Sequence, residues 1–330
     1  MVLTEDITTR DQTIEEIAQR LGVRAERGRR FAELTSLHVG GAVDWVMSPT
    51  SEEQAAALVA ELKKNDIAWR PLGSGSNVLA DDGQHHYVIL SLKELKSDPV
   101  FDGERVSVSA GYSLPRLCVD AARHELSGIE GLNGIPGTVG GALWMNAGAY
   151  GQEIGTVVET VRVARDGRVT EIPGSEVQWN YRHTSFREGE VLLGATLRLQ
   201  RGDAREIRAR MEKAKGQRMA TQPHGTRSAG CFFKNAPASP IGTGKMIDDL
   251  GMKGTRRGGA VVSEKHANFI VTEGEEAKAA DALALAEEIR ERVKREHGID
   301  LEYEVELWSS VSERGTIPTG SKEPQADKES

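Results

Sequence analysis

Glycine and hydroxyl residues are concentrated in two segments of this chain whose backbone amides could hold an anion. The first is Leu72-Gly73-Ser74-Gly75-Ser76-Asn77-Val78-Leu79; the second runs from Gly131 to Gly151 as GLNGIPGTVGGALWMNAGAYG. Successive N–H groups in loops of small residues form concave nests that take phosphate oxygens, and Ser74, Ser76 and Asn77 add side-chain donors. The longer stretch holds seven glycines. That density marks backbone that turns sharply or lies against a ligand, because glycine is costly inside regular structure. A flexible linker would be polar and serine-rich, whereas this stretch keeps Ile135, Val139, Leu143, Trp144, Met145 and Tyr150. It reads as an irregular, ligand-cradling loop. Other chemistry-bearing side chains are sparse. Cys118 and Cys231 lie too far apart for a disulfide framework or metal quartet, and Cys118 falls inside a helical pattern as a small core residue. Glu302, Glu304 and Glu306 share one face if Glu302–Leu307 is a strand, a pattern that a solvated face fits equally well.

The surrounding elements follow from periodicity. Thr13–Leu21 predicts an amphipathic helix capped by Thr13 and Glu16. Glu33–Gly41 reads as a strand entering a double-glycine turn, and Val43–Met47 as another strand. Thr50 with Glu53 opens a helix whose stripe is Ala55, Leu58, Val59 and Leu62. The strand Ile67–Leu72 then delivers the first glycine loop. In a dinucleotide fingerprint the glycines open a helix. Here Asp81-Asp82-Gly83 and the strand Tyr87–Leu92 follow instead, so that reading is poor. Arg105–Ala110 alternates as a strand and Leu114–His124 as a helix. Past the second glycine stretch come the strands Val157–Ala164, Gly167–Ile172 and Val191–Leu199, with Asp166-Gly167 as a hairpin turn. Ala204–Met219 is a charged helix, a domain boundary falls near 200–220, and Thr221–Pro240 is a loop-rich insertion around Cys231. The last third is mixed: the helix Lys245–Leu250, the strands Gly258–Ser263 and Asn268–Val271, and a helix Ala277–His297 stopped by Gly298. The polar end reads as a disordered tail over 310–330.

The whole chain has 330 residues, a net charge of −8 and a pI near 5.6. An acidic balance argues against a general nucleic-acid binder. No run has the length needed to span a bilayer, and the acidic, polar start shows no secretory signal. Sparse cysteine suits a reducing compartment, so a cytoplasmic protein is expected.

Four segments together resemble one family: TSLHVGG from Thr35, LGSGSNVL from Leu72, the IPGTVGG and NAGAYG parts of Gly134–Gly151, and VSEKHANFI from Val261. In this order, over about residues 30–308, they resemble the UDP-N-acetylenolpyruvoylglucosamine reductase (MurB) family. The resemblance implies an α+β fold. A two-part FAD-binding region of the PCMH/vanillyl-alcohol-oxidase type is followed by an α+β substrate-binding domain. On this chain that gives a helical segment 1–29, an FAD-binding region 30–201, a substrate domain 202–309 and the tail. The short span from Tyr181 to Gln222 is similar to the compact form without the additional tyrosine loop. The implied reaction is reduction of an enolpyruvyl ether on a UDP-sugar nucleotide, in peptidoglycan synthesis, with bound FAD and with NADPH as reductant. A monomer that neither inserts into membranes nor binds nucleic acid is expected.

The family pattern places a carboxylate-binding arginine at Arg182, in Asn-Tyr-Arg-His-Thr-Ser-Phe, and a catalytic glutamate at Glu304. A guanidinium fork suits a carboxylate and the charge developing beside it. Cys231, in Ser-Ala-Gly-Cys-Phe-Phe-Lys-Asn, stands where the family most often has a serine proton donor. An ordinary thiol, with a pKa near 8.5, is a better acid than a hydroxyl. Implied FAD contacts are Gly40, Gly73, Ser74, Gly75, Ser76, Asn77, Gly134, Ile135, Pro136, Gly137, Gly140, Gly141, Asn146, Gly148, Ala149 and Tyr150. Implied substrate contacts are Tyr181, Lys234 and Asn235, and no metal site is expected. His266 and Asn268 fit structural and functional roles equally. A flavin oxidase or dehydrogenase sharing only the FAD-binding fold would reduce its flavin with a hydroxy acid or alcohol and not with NADPH, and a non-catalytic nucleotide or flavin binder would lack the catalytic positions.

Overall fold

The computed structural model describes residues 2–186, 189–237 and 239–310. The expected tail beyond 310 lies outside them. The chain divides into two units that are discontinuous in sequence. Met1–Arg29, Val43–Ser76 and His86–Gly225 form one, and Arg30–Ala42, Asn77–His85 and the chain from Thr226 onward form the other.

The first unit holds two sheets. One orders its strands Arg24–Arg27, Val43–Ser48, His85–Ser91 and Trp69–Leu72. The other is antiparallel, in the order Arg168–Pro173, Val158–Arg165, Val191–Arg198, Arg105–Ser109 and Val100–Asp102. The run Val191-Leu192-Leu193-Gly194-Ala195 explains why this second sheet is covered on both faces. Side chains alternate across a strand, so Val191 and Leu193 join the core around the helix Glu52–Lys64 while Leu192 joins the core around the helix Leu114–Arg123; a register shift between Leu192 and Gly194 then turns Ala195 and Leu197 onto that second face. Arg162 ties that first helix to the sheet through Glu52 (Nε to Oε2, 2.8 Å), and also donates to the carbonyl of Val108 at 3.0 Å. Asp166 and Gly167 have φ of 47° and 76° and close the hairpin between Arg165 and Arg168, as the two-residue turn chemistry predicts.

In the second unit the strands Arg227–Cys231, Phe269–Thr272, Ala260–Val262 and Arg256–Arg257 form an antiparallel sheet. The helix Ala279–His297 supplies Ala282, Leu285, Ala286, Ile289 and Val293 to the core beside it. Gly298 ends that helix at φ 69°. A separate parallel pair joins Val78–Ala80 to Glu306–Trp308.

Several expectations are corrected. The first helix spans Val2–Leu21, so Thr13 is interior and its hydroxyl donates to the carbonyl of Thr9 rather than capping. Phe31–Leu34 is a helical turn and not part of a strand, because Thr35 bonds back to the carbonyl of Phe31 through both its N–H and its hydroxyl. Ser51 caps the next helix by accepting from the N–H of Gln54. The long glycine stretch is not wholly irregular: Val139–Trp144 is a helix, capped by Thr138. Thr221–Pro240 is not all loop, since Arg227–Cys231 is a strand. The expected last strand, Glu302–Leu307, is regular only from Glu306 and continues to Trp308. Residues 302–304 pair with 232–234 through a single bridge, Phe233 with Tyr303.

Candidate active site

In the first unit the two glycine segments lie side by side. The strand Trp69–Leu72 ends at Gly73, where an added Cβ would come 2.5 Å from the hydroxyl of Thr138. Ser74 donates to the hydroxyl of Ser76 (3.3 Å), which in turn donates to the carbonyl of Pro136 (3.0 Å). Gly137 faces this hydroxyl with φ +147°, and a Cβ there would sit 3.3 Å from it. Gly73, Ser74, Ser76, Gly134, Ile135 and Gly137 are half-buried, Pro136 is exposed and Gly75 is buried at φ +66°. These loops therefore present small residues and partly accessible backbone, with hydroxyls at the seam. This composition fits the phosphoryl part of FAD, which needs main-chain approach rather than bulky side chains.

Other residues of the same segments have local duties. Gly140 sits against Ala110, where a Cβ would meet another at 2.9 Å. Gly141 donates its N–H to the Thr138 cap. Gly148 and Ala149 form a short hairpin with Gln152 and Glu153, turned by Tyr150 and Gly151 at φ 53° and 79°. Asn146 is fully buried; its amide donates to Glu153 and to the carbonyl of Asn180 (3.0 Å), and its oxygen accepts from Gly155. Gly40, in the second unit, lies 2.8 Å in Cβ terms from both Ala80 and Phe31 and fills a packing contact there.

Asn146 also introduces Arg182. The two-residue turn Tyr181-Arg182 joins Asn180 to His183, with Arg182 held at φ 55°. A left-handed conformation is uncommon for a long side chain and clusters at functional positions. The guanidinium donates to the carbonyl of Gly148 (3.0 Å) and lies 4.9 Å from the ring centroid of Tyr181, itself 45% exposed. Thr184 donates to the carbonyl of Trp144. Three hydrogen bonds thus seat the Arg182 turn on the long glycine stretch.

Two residues the sequence reading passed over brace that stretch. Glu130 is 3% exposed and accepts from Ser127, the N–H of Gly128, Gln152 and the guanidinium of Arg210. Burial pushes its carboxyl up, but the hydrogen bonds from Ser127, Arg210 and Gly128 outweigh that and bring it down to about 2. Gln152 in turn accepts from the N–H of Gly131. The signal for Glu130 was present as Ser127-x-x-Glu130, a capping-type spacing. Thr138 was recognisable as a cap only once Val139–Trp144 is known to be helical.

The second unit brings Cys231 and Glu304 onto neighbouring backbone. Cys231 ends its strand opposite Phe269, after a register shift from Ser228 in which Gly230 takes φ +80°. Such a bulge re-aims the side chain that follows it; Cys231 is half-buried. The next residue, Phe232, accepts the N–H of Glu304 at 2.8 Å. The side-chain amide of Asn77 donates to the carbonyl of Glu304 at 2.9 Å, and the carbonyl of Asn77 accepts from the N–H of Glu306. Glu304 is therefore held on both peptide sides. By contrast, Glu302 is largely exposed and pairs with Lys234 at 3.3 Å. Asn235 accepts from the N–H of Thr243 and caps the helix Thr243–Asp249, while the hydroxyl of buried Thr243 donates to the carbonyl of Lys234. Asn268 exchanges two hydrogen bonds with the backbone of Phe233, and the ring nitrogen of His266 accepts from the N–H of Asn268. Both residues brace the Cys231 segment. Cys118 is buried, which pushes its thiol up.

Residues 43–172 match the model of an FAD binding domain, and residues 222–308 match that of the UDP-N-acetylenolpyruvoylglucosamine reductase C-terminal domain. A UDP-N-acetylenolpyruvoylglucosamine reductase of Geobacter metallireducens is 41% identical over 283 residues, covering 85% of this chain and 93% of the relative. The chain belongs to the UDP-N-acetylenolpyruvoylglucosamine reductase family. A Thermotoga maritima member is 38% identical over 83% of the chain and 95% of its own length. The crystal structure of the Thermus caldophilus reductase (MurB) matches with a TM-score of 0.74 and 35% identity, over 87% of this chain and 99% of that one. The FAD binding domain match covers both glycine segments, and the C-terminal domain match covers Cys231 and Glu304. Among the described residues no helix is long and apolar enough to cross a membrane, and no cluster of His, Cys, Asp or Glu could hold a metal ion.

Proposed function

We propose that this chain reduces the enolpyruvyl group of UDP-N-acetylenolpyruvoylglucosamine to give UDP-N-acetylmuramate for peptidoglycan, using bound FAD and NADPH. The observation that carries this is 41% identity to a named reductase over 85% of the chain, across both matched regions. FAD, when bound, supplies the hydride that adds to one carbon of the double bond. The seam of Gly73–Ser76 and Gly134–Gly137 would hold the phosphoryl part of the cofactor. Arg182 takes the substrate carboxylate and stabilises the enolate-like charge that develops on it; a guanidinium already fixed by Gly148 needs little reorganisation. Cys231 gives its Sγ–H proton to the second carbon, and solvent returns a proton to the thiolate. Glu304 positions or assists that proton transfer. Tyr181, Lys234 and Asn235 remain the candidate substrate contacts, with Asn235 offering its amide N–H while its oxygen caps a helix. A cytoplasmic monomer completes the proposal.

The test is direct. The purified chain should be yellow, anaerobic NADPH should bleach it, and the enolpyruvyl sugar nucleotide should restore the colour. A colourless protein that takes up no FAD, or a bleached one the sugar nucleotide leaves unchanged, overturns the reading.

A further inference from the structure

We infer that Asn77 is a positioning residue for Glu304, and that its side chain serves proton transfer rather than cofactor binding. The inference deepens the reductase reading and rests on it. Asn77 ends a loop whose other residues face the second glycine stretch, and it belongs with the second unit. Its amide nitrogen reaches the Glu304 carbonyl at 2.9 Å, across 227 positions of sequence. Its own carbonyl accepts from Glu306, which starts the parallel ladder of Val78–Ala80 with Glu306–Trp308. The peptide on one side of Glu304 is thus fixed to Asn77, and the N–H on the other side is fixed to Phe232, the neighbour of Cys231. With both ends of a residue hydrogen-bonded, the direction of its Cα–Cβ bond is set. Residues 302–304 pair only through the Phe233–Tyr303 bridge, of which the Glu304 N–H bond to Phe232 is part, so the Asn77 side chain supplies at the Glu304 carbonyl the hold that a continued ladder would give. Asparagine suits the task because its amide donates to a carbonyl, whereas an aspartate of the same shape would oppose one.

Asn77→Asp and Asn77→Ala test this with three measurements. Titration of the apoprotein gives FAD affinity, and anaerobic single turnovers separate bleaching by NADPH from re-oxidation by the sugar nucleotide. Adding Asn77→Ala to Glu304→Gln completes a double-mutant cycle. FAD affinity and bleaching should stay within about threefold, while re-oxidation slows about tenfold to a hundredfold, the range expected when a catalytic group is slightly misplaced. On the Glu304→Gln background the further loss should be under about threefold. A fall in FAD affinity that accounts for the lost turnover returns Asn77 to the cofactor loop and overturns the inference. Equal slowing on both backgrounds also overturns it. If Asn77→Ala does not fold, the isosteric Asn77→Asp decides alone. Wild-type enzyme that the sugar nucleotide fails to re-oxidise overturns the reductase reading itself, a result distinct from any confined to the variants.

Discussion

The glycine seam of the first unit and the Cys231–Glu304 segment of the second solve opposite problems. At the seam the chain removes side chains so that backbone can come close: Gly73 has no room beside Thr138, and Gly137 none to spare beside Ser76. At Cys231 and Glu304 it is the backbone that is fixed, by a bulge at Gly230 and by hydrogen bonds from Asn77 and to Phe232, and the proposed function depends on the side chains this orients. The first region should therefore suffer from added atoms, and the second from deleted ones.

The largest effect should come from deletion in the second region. Cys231→Ala removes the proposed proton donor and should lower turnover about 10²- to 10⁴-fold, the usual contribution of a general acid. FAD content should be unchanged, and Cys231→Ser should keep substantial activity. Equal steady-state rates for wild type and Cys231→Ala would remove the thiol from the mechanism. An added methyl tests the seam. Gly137→Ala must hold a φ of +147°, a strain of about 1–3 kcal/mol. Relieving it moves the loop, so FAD affinity should drop about tenfold while turnover at saturating FAD stays within about threefold. A turnover loss without an affinity loss would erase the contrast.

The smallest effect concerns the brace behind the seam. Glu130 is held down to about 2 against an ordinary value of 4.5. Its folded-state pKa is depressed, so its stabilisation is fully present above pH 4.5 and is lost as the pH falls toward 2. Glu130→Gln should unfold about 1–3 kcal/mol more easily at neutral pH, since it weakens the hydrogen bonds to Arg210 and Ser127. The gap to wild type should narrow on acidification between those two pH values, as read by thermal unfolding. A constant gap would mean that the brace acts through packing alone.

Much of the fold was legible because it rests on local periodicity. The stripes of Glu52–Lys64 and Ala279–His297, the hairpin at Asp166-Gly167 and the Gly298 stop all follow from spacing and turn chemistry. Misreadings occurred where tertiary partners decide. Thr35 closes a helical turn through its own hydroxyl, Val139–Trp144 is helical despite two glycines because Gly140 packs tightly on Ala110, and Thr13 lies inside a longer helix. The site divided in the same way. Its glycine segments stand out by composition, whereas Arg182 enters as a candidate only through the family resemblance. Which of the three glutamates matters was not readable from alternation, since all three sit at equivalent spacing.

By itself the sequence determined the family and the two glycine-rich loops of small residues, and it supplied the candidates proposed for proton transfer and carboxylate binding. These are properties of short segments, fixed by which residues tolerate which backbone. Only the tertiary structure decided that Ser76 meets Pro136, that the Arg182 turn rests on Gly148, and that Asn77 holds Glu304. Hydrogen bonds between residues far apart in the chain leave no periodic trace. They exist because packing of the cores brings the segments together, and buried or half-buried polar groups must then find partners where they land.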